Sequence, residues 1–280
     1  MHRRRPLPCH SRKENALWRN GKIMIIDSHC HLTDERLYPI VDEIVKGLNA
    51  NGIESVITVG YDLPSSTLGV DVARRYKEVY ATVGMHPHDS RLMTAETYDI
   101  FRNLSADEKV VGIGEIGLDY HYDLSPRDVQ QKVFEEQIEL ANSLRLPVAL
   151  HVREAYEDTR KILENNKSKL SHGVLLHCYS GSAEMVKVFS KYDAFFAFGG
   201  PITFKNAVHN IEALRAVPLD RLLFETDAPY MTPVPFRGKT NEPKHTALVV
   251  KKASEVLGVD ENELIEKSNK NTKTLFYKMK

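Results

Sequence analysis

Positive charge is not in surplus: 38 Lys and Arg are matched by 38 Asp and Glu over 280 residues, for a formal net charge of zero. A protein that grips nucleic acid through a broad basic face is therefore not expected, because such binding needs many cations against phosphates. A site that holds only a few phosphates remains open. Cysteine is scarce as well. The three present, Cys9, Cys30 and Cys178, are too few and odd in number for a disulfide framework, which points to a reducing, cytoplasmic setting. No apolar run reaches the roughly 18–20 residues of a membrane span, so a soluble protein with no membrane partner is expected. No Gly/Ser-rich or Pro-rich stretch could serve as a linker, which argues for one domain.

The N-terminal segment has its own absence. Arg3, Arg4 and Arg5 are followed by no apolar stretch of the kind a secretory signal carries. Residues 1–22 read as a disordered basic tail, as an over-long start ahead of an initiator at Met24, or as a targeting segment. The folded domain is expected over 23–280.

What the chain does have is alternation. Eight short apolar runs read as strands: IMIIDSH, IESVITVG, VYATVG, VVGIGEIG, PVALHV, GVLLHCY, AFFAFGG and RLLFET. Helix-like stretches lie between them at 36–50, 64–77, 94–105, 126–145, 155–166, 182–191 and 206–216, and two more follow at 244–257 and 260–278. In the fourth, Ser125 is the expected N-cap and Pro126 the first helical residue, with Val133, Phe134, Ile138, Leu140, Ala141 and Leu144 forming an apolar stripe. Strands apolar throughout belong in a buried parallel sheet. Eight such units in about 250 residues fit an α/β TIM (β/α)8 barrel with extra C-terminal helices better than an open doubly wound sheet.

In that barrel the chemistry sits where the strands end. The first run stops at Asp27-Ser28-His29-Cys30-His31, the fourth at Gly114-Glu115-Ile116-Gly117 and the fifth at Leu150-His151. The sixth stops at Leu176-His177-Cys178 and the eighth at Glu225-Thr226-Asp227. Four histidines and two carboxylates thus converge on one rim, a donor set suited to zinc, manganese or a similar divalent ion. His29 and His31 point the same way from an extended segment, so both can hold one ion. Six ligands exceed what one tetrahedral ion needs, which favours two, with Glu115 as the natural bridge and Asp227 as ligand and general base.

Here the sequence resembles a known family. DSHCHL, VGMHPHD, GEIGLDYHYD, PVALHVREA, GVLLHCYSGS, GGPITFKNA and LLFETDAPYMTPVPFRGKTNEP follow one another in the order found in TatD-type deoxyribonucleases of the amidohydrolase superfamily. The resemblance implies a TIM-barrel enzyme with two divalent ions, zinc, magnesium or manganese, and 3′-5′ exonuclease action on DNA. It implies His29, His31, Glu115, His151, His177 and Asp227 as the metal ligands.

Other residues near these ends have two readings each. Cys30 and Cys178 are expected to be structural, turned away from the ions by strand alternation. Asp27 either supports a histidine or caps a turn. Glu225 either bonds a ligating histidine or faces a helix. His86 and His88 either contact a phosphate or leaving group or stabilise the turn at Pro87. Asp119, His121 and Tyr122 are candidates for lining the groove, and Arg237 and Lys205 for holding a DNA phosphate. Nothing marks an obligate protein partner, and a monomer is expected. The rival functions are a small-molecule amide, lactone or ester hydrolase with the same metals, hydrolysis of D-aminoacyl-tRNA, and a non-catalytic metal-dependent binding protein.

Overall fold

A computed structural model of the chain describes Trp18, Arg19 and residues 22–280. The reading of residues 1–22 falls almost wholly outside the described residues; within them, Trp18–Arg19 and Lys22–Ile23 pair as a short antiparallel ladder.

The eight apolar runs form eight strands: β1 (Ile25–Cys30), β2 (Ile53–Val59), β3 (Val79–Val83) and β4 (Val110–Asp119), then β5 (Val148–Arg153), β6 (Val174–Leu176), β7 (Phe195–Phe198) and β8 (Leu222–Phe224). They pair parallel and in chain order. Helices follow the strands: α1 (Val41–Gly47), α2 (Leu63–Arg75), α3 (Ala95–Leu104), α4 (Arg127–Leu144) and α5 (Tyr156–Asn165). Then come α6 (Ala183–Phe189), α7 (Val208–Ala216) and, after β8, α8 (Thr246–Leu257) and α9 (Glu261–Leu275). This is the expected TIM barrel with extra C-terminal helices. Among the described residues, no helix is long and apolar enough to cross a membrane.

Strand alternation divides the core in two. Ile26, Ile57, Val111, Ala149, Leu175, Ala197 and Leu223 fill the barrel interior, and Leu275, Phe276 and Met279 join them from the chain's end. Their neighbours Ile25, Val56, Val110, Val148, Leu176, Phe196 and Phe224 face the other way and pack in the larger cluster with residues of the helices. With the interior packed solid, a ligand can enter only at an end.

The seam between β8 and β1 is closed differently from the rest. At the carboxyl rim, Cys30 bridges to Ala228, and the backbone N–H groups of His31 and Asp227 donate to Ala228 O and His29 O at 2.6 and 2.9 Å. Deeper down, side chains of α9 replace the missing ladder. Ile26 N donates to Asn269 Oδ1 and Phe224 N to Ser268 Oγ, while Asn269 Nδ2 donates to Met24 O. These bonds satisfy backbone groups that burial would otherwise strand, each at a cost of about 1–3 kcal/mol.

Three local expectations differ. The 36–50 stretch yields only a seven-residue α1, flanked by 3-10 turns at Tyr38–Ile40 and Asn49–Asn51. Pro126, not Ser125, is the N-cap of α4, because Ser125 Oγ is already engaged, donating to His88 O and accepting from Arg91 N. β4 runs on to Asp119, two residues past the run read from the sequence, and β5 to Arg153, one past its run, because Leu118–Val152 and Asp119–Arg153 continue their pairing.

Candidate metal centre

Glu115 lies near the middle of β4 and is 4% exposed. Its two oxygens face different partners. Oε1 is 2.8 Å from His177 Nε2, 2.9 Å from His151 Nδ1 and 3.5 Å from His86 Nε2. Oε2 is 3.5 Å from His31 Nε2 and 3.6 Å from His29 Nε2. Asp227 joins this second set, with Oδ1 at 3.3 Å from His31 Nε2 and 3.8 Å from His29 Nε2. The two histidines of the His-x-His segment bring their Nε2 atoms within 3.3 Å of each other, as alternation requires. All six residues named as ligands therefore meet at one rim.

The backbone is shaped for this meeting. Gly117 has φ +133°, and a Cβ there would lie 2.1 Å from His151 O, so β4 approaches β5 more closely than a side chain permits. Asp227 sits in the left-handed region, φ 54°, held by its N–H on His29 O. Left-handed conformations at non-glycine residues gather where function needs them. Cys178 shares that conformation, φ 40°, and corrects its own reading: it lines the cavity instead of turning away, because strand alternation has already broken. Cys30 is fully buried, its thiol donating to Ile57 O.

The outer edges of the rings meet acceptors. His31 Nδ1 donates to Val59 O at 3.0 Å, His151 Nε2 faces Asp119 Oδ2 at 2.9 Å, and His177 Nδ1 faces Glu225 at 3.6 Å. Acceptors there can keep a proton on the outer nitrogen, so that the inner nitrogen, which here faces Glu115, would be free to give its lone pair to an ion. Asp27 supports the same seam, accepting from Thr226 N, Thr226 Oγ1 and His29 N at 2.9, 2.6 and 3.3 Å, and burial raises its pKa to about 8.

Charge balance is tight. Burial opposes the ionised form of Glu115, yet the charges of His177 and His86 and the bonds from His151 and His177 hold its pKa well below the usual carboxylate range. Asp227 is held low in the same way, against burial, by His31 and the charges of His177 and His29. Burial also opposes protonation of His177, but Glu115 and Glu225 outweigh it and raise its pKa well above the ordinary value. His86, where burial prevails, is pushed well down.

Such a cluster fits divalent ions. Three donor groups bring nitrogen and carboxylate oxygen atoms within 4.8 Å of one another: His29, His31 and Glu115; His86, Glu115 and His151; and His29, His177 and Glu225. Their chemistry is that of borderline-hard divalent metals. The rim opens into a cavity of about 880 Å³, whose wall includes Tyr61, Tyr122, Arg153, Phe204 and Tyr230.

His86 and His88 both face this cavity. His86 braces the turn at Pro87 as well, since its Nδ1 accepts from His88 N at 3.2 Å. Arg237 and Lys205 are exposed and stand outside the cavity wall, Arg237 stacked on Phe204 at 4.3 Å. Asp119 is fully buried and binds more than the groove: besides His151, its Oδ2 lies 3.1 Å from His88 Nε2. Among the cavity residues the sequence reading missed, Arg153 carries the positive charge. Its signal was the i, i+2 spacing from His151.

Comparison with known proteins gives a consistent result. A family model described as TatD related DNase matches residues 26–277. The chain is 41% identical to the uncharacterized metal-dependent hydrolase YabD of Bacillus subtilis (strain 168), covering 90% of this chain and 99% of that one. It is 31% identical to the 3′-5′ ssDNA/RNA exonuclease TatD of Escherichia coli (strain K12), with coverage of 90% and 98%. The crystal structure of YjjV, a TatD homolog from Escherichia coli K12, superposes with a TM-score of 0.85 at 28% identity, covering 90% of this chain and 98% of that one.

Proposed function

The chain belongs to the TatD-related DNase family of metal-dependent hydrolases, and from that premise we propose that it is a two-metal phosphodiesterase acting on DNA, a 3′-5′ exonuclease on single strands. The observation that carries this reading is the division of Glu115, with Oε1 turned to His151 and His177 and Oε2 to His29 and His31. A carboxylate shared in that way would suit a bridging ligand. His29, His31 and Asp227 would hold one ion with it, and His151 and His177 the other, with His86 alongside.

Divalent ions bound there lower the pKa of water and neutralise charge on the attacking and leaving oxygens. Asp227, ionised and at the cavity wall, takes the proton from the attacking water. The water oxygen bonds to phosphorus, the bond from phosphorus to the sugar oxygen breaks, and that oxygen takes a proton from solvent in the cavity while Asp227 releases its own, so the protons balance. His86 and His88 are suited to an oxygen of the phosphate or leaving group. Arg237 and Lys205, exposed beyond Phe204, are suited to a strand emerging from the cavity. Every donor comes from one chain, so a monomer suffices. The polarity and single-strand preference draw support from the name of the Escherichia coli relative, which also includes RNA.

The test is cleavage of end-labelled single-stranded DNA by metal-reconstituted protein, beside Glu115→Gln and Asp227→Asn. Both variants lose several orders of magnitude in rate while keeping the native circular dichroism spectrum, and label position gives the polarity. Full activity in Asp227→Asn removes its role. A second reading, hydrolysis of a small ester, amide or lactone, is favoured by the cavity wall, which has a single Lys or Arg among the described residues. A panel of such substrates and a D-aminoacyl-tRNA, run beside DNA, separates the two.

A further inference from the structure

The single Lys or Arg of the cavity wall among the described residues, Arg153, is placed by β5 itself. His151 and Arg153 are the two part-exposed residues in a strand otherwise buried, which sets them on the same side. Arg153 therefore stands one rung outside the metal centre, roughly 6–7 Å farther along the strand. Its register partner is Asp119, and its backbone O accepts from Tyr120 N at 2.9 Å.

The guanidinium has no hydrogen bond or ion pair among the described residues. The adjacent carboxylate, Glu154, is taken by His121 at 2.7 Å. Arg153 instead lies over the ring of Tyr122, 4.8 Å from its centroid. Stacking occupies the plane of a guanidinium and leaves its N–H edges free to take a phosphate in bidentate fashion. Tyr122 is itself fixed, because its backbone N–H donates to Asp119 Oδ1 at 2.9 Å and its ring meets His88 edge-on at 5.4 Å. Yet 55% of Tyr122 remains exposed. An unpaired cation held against a pinned, exposed aromatic is a phosphate-and-base platform of the kind single strands use.

We propose that Arg153 and Tyr122 form a subsite for the nucleotide next to the scissile bond, Arg153 taking its phosphate and Tyr122 the face of its base. This rests on the nuclease reading and specifies which wall of the cavity the strand follows, the side of β4 and β5. Asp119 ties the subsite to the metal centre, since one of its oxygens holds Tyr122 and the other His151.

The test uses metal-loaded protein, a thymidine oligonucleotide and the p-nitrophenyl ester of thymidine monophosphate, a diester with no neighbouring phosphate. In Arg153→Met, KM for the oligonucleotide rises at least tenfold more than KM for the small diester. Its binding, followed by fluorescence anisotropy, loses about 0.7 from the slope of log affinity against log salt, the share of one phosphate on a single strand. Arg153→Lys recovers part of that slope, whereas Tyr122→Ala weakens oligonucleotide binding with the slope unchanged. Equal losses on both substrates, or an unchanged salt slope in Arg153→Met, overturn the subsite while the hydrolase reading stands. A wild-type protein that neither binds the oligonucleotide nor cleaves either diester overturns the nuclease reading and the subsite with it.

Discussion

His29 and His177 lie face to face, ring centroids 3.8 Å apart and planes 7° from parallel, although one comes from β1 and the other from the end of β6. Their inner nitrogens both turn to Glu115. On the opposite edge stands Glu225, fully buried, 3.6 Å from His177 Nδ1 and grouped with His29 as well. Two buried imidazoles stacked this closely repel when both are protonated, and burial together with the charge of His177 lowers the pKa of His29. The pair is arranged to be held by carboxylates on both edges or by cations on the inner one.

Glu225→Gln follows from that arrangement. The amide oxygen can still accept from Cys178 N, as Oε1 does now at 2.6 Å, so the fold survives. The negative charge behind both rings is gone, and the ligands become poorer bases. Removing such an outer partner costs about 10–100-fold in metal affinity. Titration of activity against metal shifts to higher concentration by that factor, with rate at saturation within a few-fold of wild type. An unshifted titration places the importance of Glu225 elsewhere.

Metal removal tests the same cluster without any activity. Ions that bind only the folded chain stabilise it by mass action, about 2.7 kcal/mol per site at a hundredfold excess over Kd. Chelated protein keeps its circular dichroism spectrum, since the packed barrel interior does not depend on the rim. Its Tm falls by several degrees and returns on adding manganese or zinc. In Glu115→Gln the increment shrinks, because both donor sets share the altered carboxylate. A Tm indifferent to metal in the wild type removes the cluster as a binding site.

How much of this was legible in the sequence depends on how far alternation held. His29 and His31 could be paired because they flank Cys30 at the end of β1 and their Nε2 atoms do meet, and Glu115 because its apolar run was unmistakable as a strand. Arg153 was lost for the opposite reason: with the strand run read as PVALHV, the one residue beyond it that continues the pairing looked like loop. Cys178 fails differently, since its left-handed backbone breaks the alternation that would have turned it away. Ser125 shows the limit of local rules, a serine in cap position whose hydroxyl is claimed by His88 O from a distant loop. Arg237 and Lys205 were chosen for their charge on the loops after the eighth and seventh strands, and the structure sets both outside the cavity wall.

Gly117→Ala probes the close approach that brings β4 and β5 together. The substitution is strained by φ +133° and drives a methyl to 2.1 Å from His151 O, so β5 must move and take a metal ligand with it. Destabilisation of about 2–4 kcal/mol is expected by denaturant unfolding, together with weaker metal binding. Gly52→Ala is the control. It also has positive φ, +77°, but nothing lies within 4 Å of the added carbon, so it costs about 1–2 kcal/mol and leaves metal binding alone. Equal behaviour of the two variants removes the clash as the cause.

Asp34 gives the pH dependence. It accepts from Arg36 Nε and Nη2 at 2.8 and 2.9 Å and from Tyr230 Oη at 3.0 Å, linking the turn after β1 to the loop after β8 beside His31. The bonds from Arg36, acting against burial, lower its pKa from 3.8 to about 2. Asp34 therefore binds its proton more weakly in the folded chain than in the unfolded one. Its contribution to stability is complete above about pH 4 and is lost as pH falls toward 2. Asp34→Asn lacks that contribution at every pH. The gap in urea midpoint between variant and wild type is thus full at pH 6 and closes progressively below pH 4. A gap that stays constant from pH 6 to pH 2.5 means the carboxylate stabilises the loop by shape and hydrogen bonding alone, with no part for its charge.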